Sequence, residues 1–341
     1  MSGLTNPTAS GMMVLVRRLL PLPMVLVVAL LGAACGSDGD GGTGTGITPP
    51  PPARAQVQAI VASQDHYAGA PQRVAVGLVT NENELVSYGS VGFAFTYIGT
   101  AQEPSEPQAG PSATATFIPT YGTNGDGEGP AITLPSEARG VYEAADVVFD
   151  RAGFWQVTVT AEVKDVGRQQ ALATLAVGEE PSLPAPGDPA LETENLTLDS
   201  KGVSEAAIDS RFVTDGEIPD PELHGWTIAR ALEEGRPAVV VFGTPVYCVS
   251  QFCGPVTDMV QDLSHRYDDR AVFIHIEIWE DYETQSVNQA ALDWLLLPSG
   301  DVTEPWLYLI GSDGTILDRW STLWSEDELA AELDRLPPMD G

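Results

Sequence analysis

The sequence predicts a multidomain chain, an antiparallel β-sandwich over residues 56–180 followed by an α/β domain over residues 223–341. Three observations carry this. Short stretches that alternate apolar and polar residues, joined by polar turns and free of helical period, fill the first region. From His224 onward, helical and strand patterns alternate, which is the order of an α/β unit. Between them, Gly178-Glu-Glu-Pro-Ser-Leu-Pro-Ala-Pro-Gly187 is a linker by composition, and residues 181–222 are assigned to it and to a wrapping segment.

The first 34 residues read as an export signal. Arg17-Arg18 precede an apolar stretch from Leu19 to Leu31, and Gly32-Ala33-Ala34 lead into Cys35. A membrane span needs about 20 apolar residues, whereas this run is shorter and broken by Pro21 and Pro23. Leu31-Gly-Ala-Ala-Cys35-Gly resembles a bacterial lipoprotein cleavage site, with leucine four rather than three residues before the cysteine. That resemblance implies a lipidated Cys35, the membrane as a partner through this anchor, and a place on the extracytoplasmic face of the cell membrane. Residues 35–55, glycine-rich and then carrying four prolines, read as a flexible and then stiff tether.

The chain holds 16 basic and 48 acidic residues, a formal charge of −32. Such a surface repels polyanions, and nucleic acid is excluded as a partner. Asp38-Gly-Asp40 and Asp126-Gly-Glu128 lack the spacing of a helical-hand calcium loop. The sequence assigns no cofactor and no metal site.

Strand patterns follow at Val74-Ala-Val-Gly-Leu-Val79, at residues 91–98 with Val91, Phe93, Phe95 and Tyr97 on one face, at 141–149, at 155–163 and at 171–177. Gly140-Val-Tyr-Glu-Ala and Gly153-Phe-Trp-Gln-Val-Thr-Val resemble a strand pair of immunoglobulin-like bacterial surface domains, so the sandwich is expected to be of that kind. The pattern brings no catalytic residue, and Trp155 reads as core. Residues 190–222 are polar and weakly periodic and are expected to wrap without a clear element.

In the second half, residues 226–234 read as a helix ended by Gly235, and the apolar run Ala238–Phe242 as a buried strand. A helix carrying Val256, Met259, Val260 and Leu263 runs to about Tyr267, a strand covers residues 272–279, and a helix residues 286–297. Residues 306–310 and 315–320 form a hairpin across Gly311-Ser-Asp-Gly314. Ser325-Glu-Asp-Glu328 has the spacing of a capping box before the last helix.

Cys248 and Cys253 stand between the Ala238–Phe242 strand and the helix after it. Helix-start amides and the helix dipole stabilise a thiolate there. Phe252-Cys253-Gly254-Pro255 resembles the opening of the thioredoxin motif, with Val256 where that motif has its second cysteine. Thr244-Pro245-Val246-Tyr247-Cys248, with a second cysteine five residues on, resembles the segment of atypical two-cysteine peroxiredoxins with one residue inserted. Both families share the thioredoxin fold, and the order αβαβαββα over residues 223–338 is similar to it. The resemblance implies a cis-proline at Pro305 and places Glu304 toward the site.

With Cys35 lipidated, Cys248 and Cys253 remain as the pair, and outside the cytoplasm such a pair persists oxidised. Helix positions five apart are separated by about 140°, so a bridge requires Cys248 in the loop or an unwound first turn. We read Cys248 as the exposed nucleophile and Cys253 as its resolving partner. The reverse assignment stays open, because Phe252-Cys253-Gly-Pro is the better match by identity. The strand Val239-Val-Val-Phe242 lacks the buried acid of thioredoxins. Glu277 is either its substitute or a hydrogen-bonded carboxylate at a strand end.

The function these features predict is membrane-anchored thiol–disulfide exchange with protein thiols and disulfides as partners. One alternative is a non-catalytic binding lipoprotein in which Cys248–Cys253 is a permanent clamp. Another is a peroxiredoxin-like peroxidase, which needs a threonine three residues before the nucleophile, where Pro245 stands. Copper delivery by two cysteines and a histidine is a further reading of this fold, but His275 lies inside a strand rather than in a later loop.

Overall fold

The computed structural model describes residues 57–339. The export signal, Cys35 and the tether lie outside the described residues. Among the described residues no helix is long and apolar enough to cross a membrane. The molecule is mostly β-sheet, in several sheets, with few helices.

The first half contains β1 (Val57–Val61), β2 (His66–Tyr67), β3 (Gln72–Thr80), β4 (Leu85–Ser87), β5 (Ser90–Gly99), β6 (Pro104–Pro119), β7 (Ala131–Thr133), β8 (Gly140–Val147), β9 (Gly153–Val163) and β10 (Gly167–Gly178). They pair in the order β2-β10-β9-β5-β6-β8-β3-β4-β7, with β1 added on β3. Alternation works as read: Val91, Phe93 and Phe95 are buried while Gly92 and Ala94 between them are exposed. One core takes Val74, Val76 and Leu78 from β3 together with Phe93, Phe95, Trp155 and Leu175 from the other end of the order, so the two halves of the sheet face each other. They are not two separate sheets. β6 pairs with β5 as far as Thr116 and with β8 from Thr116 to Pro119, carrying the hydrogen bonding from one layer into the other. No pattern in the sequence announced this longest strand, whose residues are mostly small or proline and whose outer face is exposed.

After this half come α1 (Phe212–Asp215), α2 (Ile228–Glu233), β11 (Ala238–Phe242), α3 (Cys253–Arg266), β12 (Val272–Ile276), β13 (Trp279–Asp281), β14 (Ser286–Val287), α4 (Gln289–Leu295), β15 (Trp306–Ile310), β16 (Ile316–Ser321) and α5 (Glu326–Arg335). The second sheet has the order β12-β11-β15-β16. β11 runs parallel to β12 and antiparallel to β15, and β16 returns antiparallel to β15. β11 is apolar throughout because both of its faces are covered. Val239 and Val241 pack with α3 and α5 residues, whereas Ala238, Val240 and Phe242 pack with residues of α2 and α4.

Four local readings need correction. The strand expected over 272–279 stops at Ile276, because Glu277 Oε1 accepts the backbone N–H groups of Ile278 (2.9 Å) and Trp279 (3.2 Å) in place of a ladder partner. The helix expected from residue 286 begins at Gln289, since Ser286–Val287 pairs back onto β13. Residues 190–222 are not featureless: two 3-10 turns, Glu205–Ala207 and Pro221–His224, flank α1. The capping box does not close, for Ser325 makes no side-chain cap bond and Glu328 is held by Arg73 instead.

The stretch read as a linker is part of the fold. Gly187 N–H donates to Ile316 O (2.9 Å), Ile316 N–H to Asp188 O (2.9 Å) and Ala190 N–H to Gly314 O (2.8 Å), lining the edge of the second sheet. The described residues fall in one compact unit. Ala75, Ile118 and Val141 of the first half share a core with Val239, Leu307 and Trp320 of the second.

Candidate functional site

The cysteine loop follows from how β11 ends. Gly243 leaves the strand where a Cβ would meet Cys253 Cβ at a tight 3.3 Å and Pro305 Cβ at 3.7 Å, so glycine eases the convergence of three backbone segments. Two successive turns then form. Cys248 N–H donates to Thr244 O (3.1 Å) and Gln251 N–H to Cys248 O (3.3 Å), with Gln251 in the left-handed region at φ 62°. α3 begins at Cys253, with Pro255 in its first turn, where a missing N–H removes no helical bond.

Cys248 and Cys253 are joined in a disulfide, with their Cα atoms 6.0 Å apart. Cys248 lies in the loop and Cys253 in the helix, the arrangement that the 140° argument requires. Their surroundings differ. Cys248 keeps 9% of its surface exposed and Cys253 none. Cys248 Sγ accepts the Cys253 N–H at 3.4 Å and lies 3.2 Å from Ser250 Oγ. Cys253 Sγ lies 3.5 Å from Glu304 Oε2, which also accepts the Thr244 N–H at 2.7 Å. Burial pushes the Glu304 carboxyl up to about 8, against the opposing pull of the Thr244 amide.

The peptide bond Glu304–Pro305 is cis, and Pro305 starts the approach to β15 beside Gly243 and Cys253. Glu277 is fully buried but faces elsewhere: it accepts the N–H groups of Ser210 (2.9 Å), Ile278 and Trp279. The carboxyl beside a sulfur is therefore Glu304. Thr244 Oγ1 donates to Ser210 Oγ (3.3 Å), and Ser210 Oγ also accepts the Val246 N–H (3.2 Å), so the hydroxyl a peroxidase would aim at its thiol is engaged beneath the loop. Cys248, Cys253 and Glu304 offer three donor atoms close enough for one ion, available only once the disulfide is reduced. His275 does not join them. Its Nε2 donates to Gly243 O at 3.0 Å and its Nδ1 faces Asp209.

Behind the loop lies a group that the sequence reading missed. Asp209, Asp220, His224 and His275 have no exposed side-chain surface, and Arg211 bridges the two carboxylates. Burial alone would raise Asp209, but the facing histidines and Arg211 hold it well below the usual carboxylate range. Burial would likewise lower His275, and the Asp209 carboxylate overrides it and pushes the imidazole up. The available signal was Asp209-Ser-Arg211 with Asp220 and His224 four apart, inside a stretch whose weak periodicity hid it.

Beside the cysteine loop an open cleft of about 720 Å³ lies between residues 249–252 and the first half of the molecule. Ile60, Val79, Arg139, Val249, Phe252 and Glu304 line it. Val249, in the cysteine loop, is 97% exposed. No protein-family model matches this chain, and no curated protein matches it.

Proposed function

We propose that this protein carries out thiol–disulfide exchange from an extracytoplasmic, lipid-anchored position, using a thioredoxin-like second half. The observation that carries the reading is the asymmetry of the cysteine pair. One sulfur meets solvent and a helix-start amide; the other is buried against a carboxyl. The α–β order with β11 and β12 parallel and β15 and β16 antiparallel, and the approach of Pro305 to the cysteines, support the fold assignment. The lipoprotein-like Cys35 supports the location.

In the reductive direction the Cys248 thiolate attacks a substrate disulfide, forming a Cys248–substrate mixed disulfide and expelling one substrate thiolate. Glu304 takes the Cys253 proton. The Cys253 thiolate then attacks Cys248 Sγ, expelling the second substrate thiolate and closing the Cys248–Cys253 bond. One substrate disulfide is reduced and one protein dithiol oxidised. Run backward, the same steps oxidise a substrate dithiol. Donation from the Cys253 N–H and Ser250 to Cys248 lowers the energy of the attacking thiolate. The cleft beside Val249 offers an extended substrate an apolar wall.

The low exposure of both sulfurs favours a second reading, a permanent clamp. The reduction potential decides between them. Equilibration of the full chain in glutathione buffers with thiol labelling is expected to give about −120 to −270 mV, the range of exchange catalysts. A value well below about −300 mV would mark a structural clamp. Cys248→Ser is expected to abolish disulfide reductase activity, and Cys253→Ser to trap a mixed disulfide. Full activity in Cys248→Ser would end the exchange reading.

A further inference from the structure

His275 Nε2 sits 3.0 Å from Gly243 O. A carbonyl can only accept, so Nε2 carries the proton, and in the neutral ring Nδ1 is a bare lone pair. Nδ1 faces Asp209 Oδ2 at 3.4 Å and is buried without a hydrogen-bond partner. His224 Nε2 lies 3.4 Å from the same Oδ2 and 3.3 Å from Asp220 Oδ1. Two imidazole nitrogens and two carboxylate oxygens thus converge, all within 4.8 Å of one another.

Hydrogen bonds across this gap are long. Charge-assisted N–H···O bonds settle at about 2.7–2.9 Å, and these contacts stand at 3.3–3.4 Å. They match another figure. Zinc binds histidine nitrogen and aspartate oxygen at about 2.0–2.2 Å, and a tetrahedron of that size sets donor atoms about 3.3–3.6 Å apart, the spacing of these three contacts.

Three of the four residues, His275 and the two aspartates, have the outer contacts that metal ligands take. His275 is oriented through its far nitrogen by a backbone carbonyl, and both carboxylates are gripped by Arg211. The buried carboxylates of Asp209 and Asp220 carry two negative charges against the single positive charge of Arg211, so the pocket is net anionic and attracts a cation.

We propose that Asp209, Asp220, His224 and His275 form a buried, tetrahedral N2O2 site for a divalent cation of zinc type. The site joins the segment after the first sheet to β12 and, through Gly243, to the base of the cysteine loop. It has no solvent-facing coordination position, so its role is to hold the loop rather than to activate water.

The test is metal content of the full chain produced in zinc-supplemented medium, by mass spectrometry of the purified protein and by competition with a chromophoric chelator. One equivalent of zinc is expected, kept in a Cys248→Ser/Cys253→Ser double variant and weakened at least about tenfold in His275→Gln and Asp209→Asn. Cobalt substitution is expected to give tetrahedral d–d absorption without a thiolate charge-transfer band. Folded wild-type protein that takes up neither metal would overturn the proposal. So would zinc that leaves with the cysteines, or zinc bound equally by wild type and both ligand variants. If those variants do not fold, wild-type stoichiometry and the cobalt spectrum still decide.

Discussion

Glu304 is a carboxyl kept half out of water beside a buried sulfur, and its effect on pH behaviour can be worked out with its sign. Its pKa is pushed up to about 8 in the folded protein, against about 4.3 for a solvated glutamate. Between those values the native state binds more protons than the unfolded chain, so this group's contribution to stability is complete below the lower value and lost as pH rises through the upper one. Under the proposed exchange mechanism activity runs the other way, since only the carboxylate accepts the Cys253 proton. The resolving step is expected to rise with pH toward a plateau above about 8. In Glu304→Gln that inflection disappears and the plateau drops about 100-fold, within the usual span for a positioned base. Stopped-flow release of the second substrate thiol across pH 6 to 10 reads both effects. An unchanged pH profile would remove Glu304 from the mechanism. The cysteines were legible from sequence because a strand, a turn and a helix start are local signals. Glu304 was expected toward the site through the resemblance at Pro305, whereas the turning of Glu277 away from the sulfur was not legible, because it depends on which way the backbone turns after β12.

At the scale of elements, β6 shows how a strand forms without the pattern that usually reveals one. Its end is paired to β8 so closely that a Cβ on Gly140 would sit 2.1 Å from Ile118 O and 2.7 Å from Phe117 Cζ. Gly140→Ala must push backbone apart and is expected to lose about 1–3 kcal/mol, the usual range for overpacking. Gly129→Ala, with nothing within 4 Å of the added methyl, is the control and should stay within about 0.5 kcal/mol. Urea unfolding monitored by tryptophan fluorescence measures both. Equal stabilities would mean that β6 and β8 are not packed as described. The elements with strong alternation, β5 and β9, were legible because one face is core. β6 was not, because most of it is small residues and proline and its apolar face is confined to Ala113, Ala115 and Phe117 near the end.

Across the whole molecule, charged side chains join the two halves. Arg319 is buried between Trp306 and Tyr67, bonds Asp65 at 2.8 Å, and donates to Leu183 O and Pro184 O. Arg73 reaches Asp318 at 2.8 Å and also Glu328. Removing one partner of a buried pair leaves the other charge uncompensated. Arg319→Ala is expected to destabilise the protein by about 3–5 kcal/mol, or about 2–4 °C in Tm per kcal/mol for a chain of this size. A single calorimetric transition shifted as a whole would fit two halves that unfold together. Loss of only one of two transitions would show that they are independent domains.

By itself the sequence determined what short-range chemistry dictates: alternating strands, the fully apolar β11, the turn between β15 and β16, a cysteine loop at a helix start, and a strongly acidic chain. The joining of two predicted domains into one unit, the closing of the first sheet through β6, and the gathering of Asp209, Asp220, His224 and His275 were decided only in three dimensions. Each is a contact between residues far apart in the chain, where a carboxylate or glycine looks the same in sequence whether it ends in solvent or in the core. Its partner, and so its chemistry, is chosen by packing.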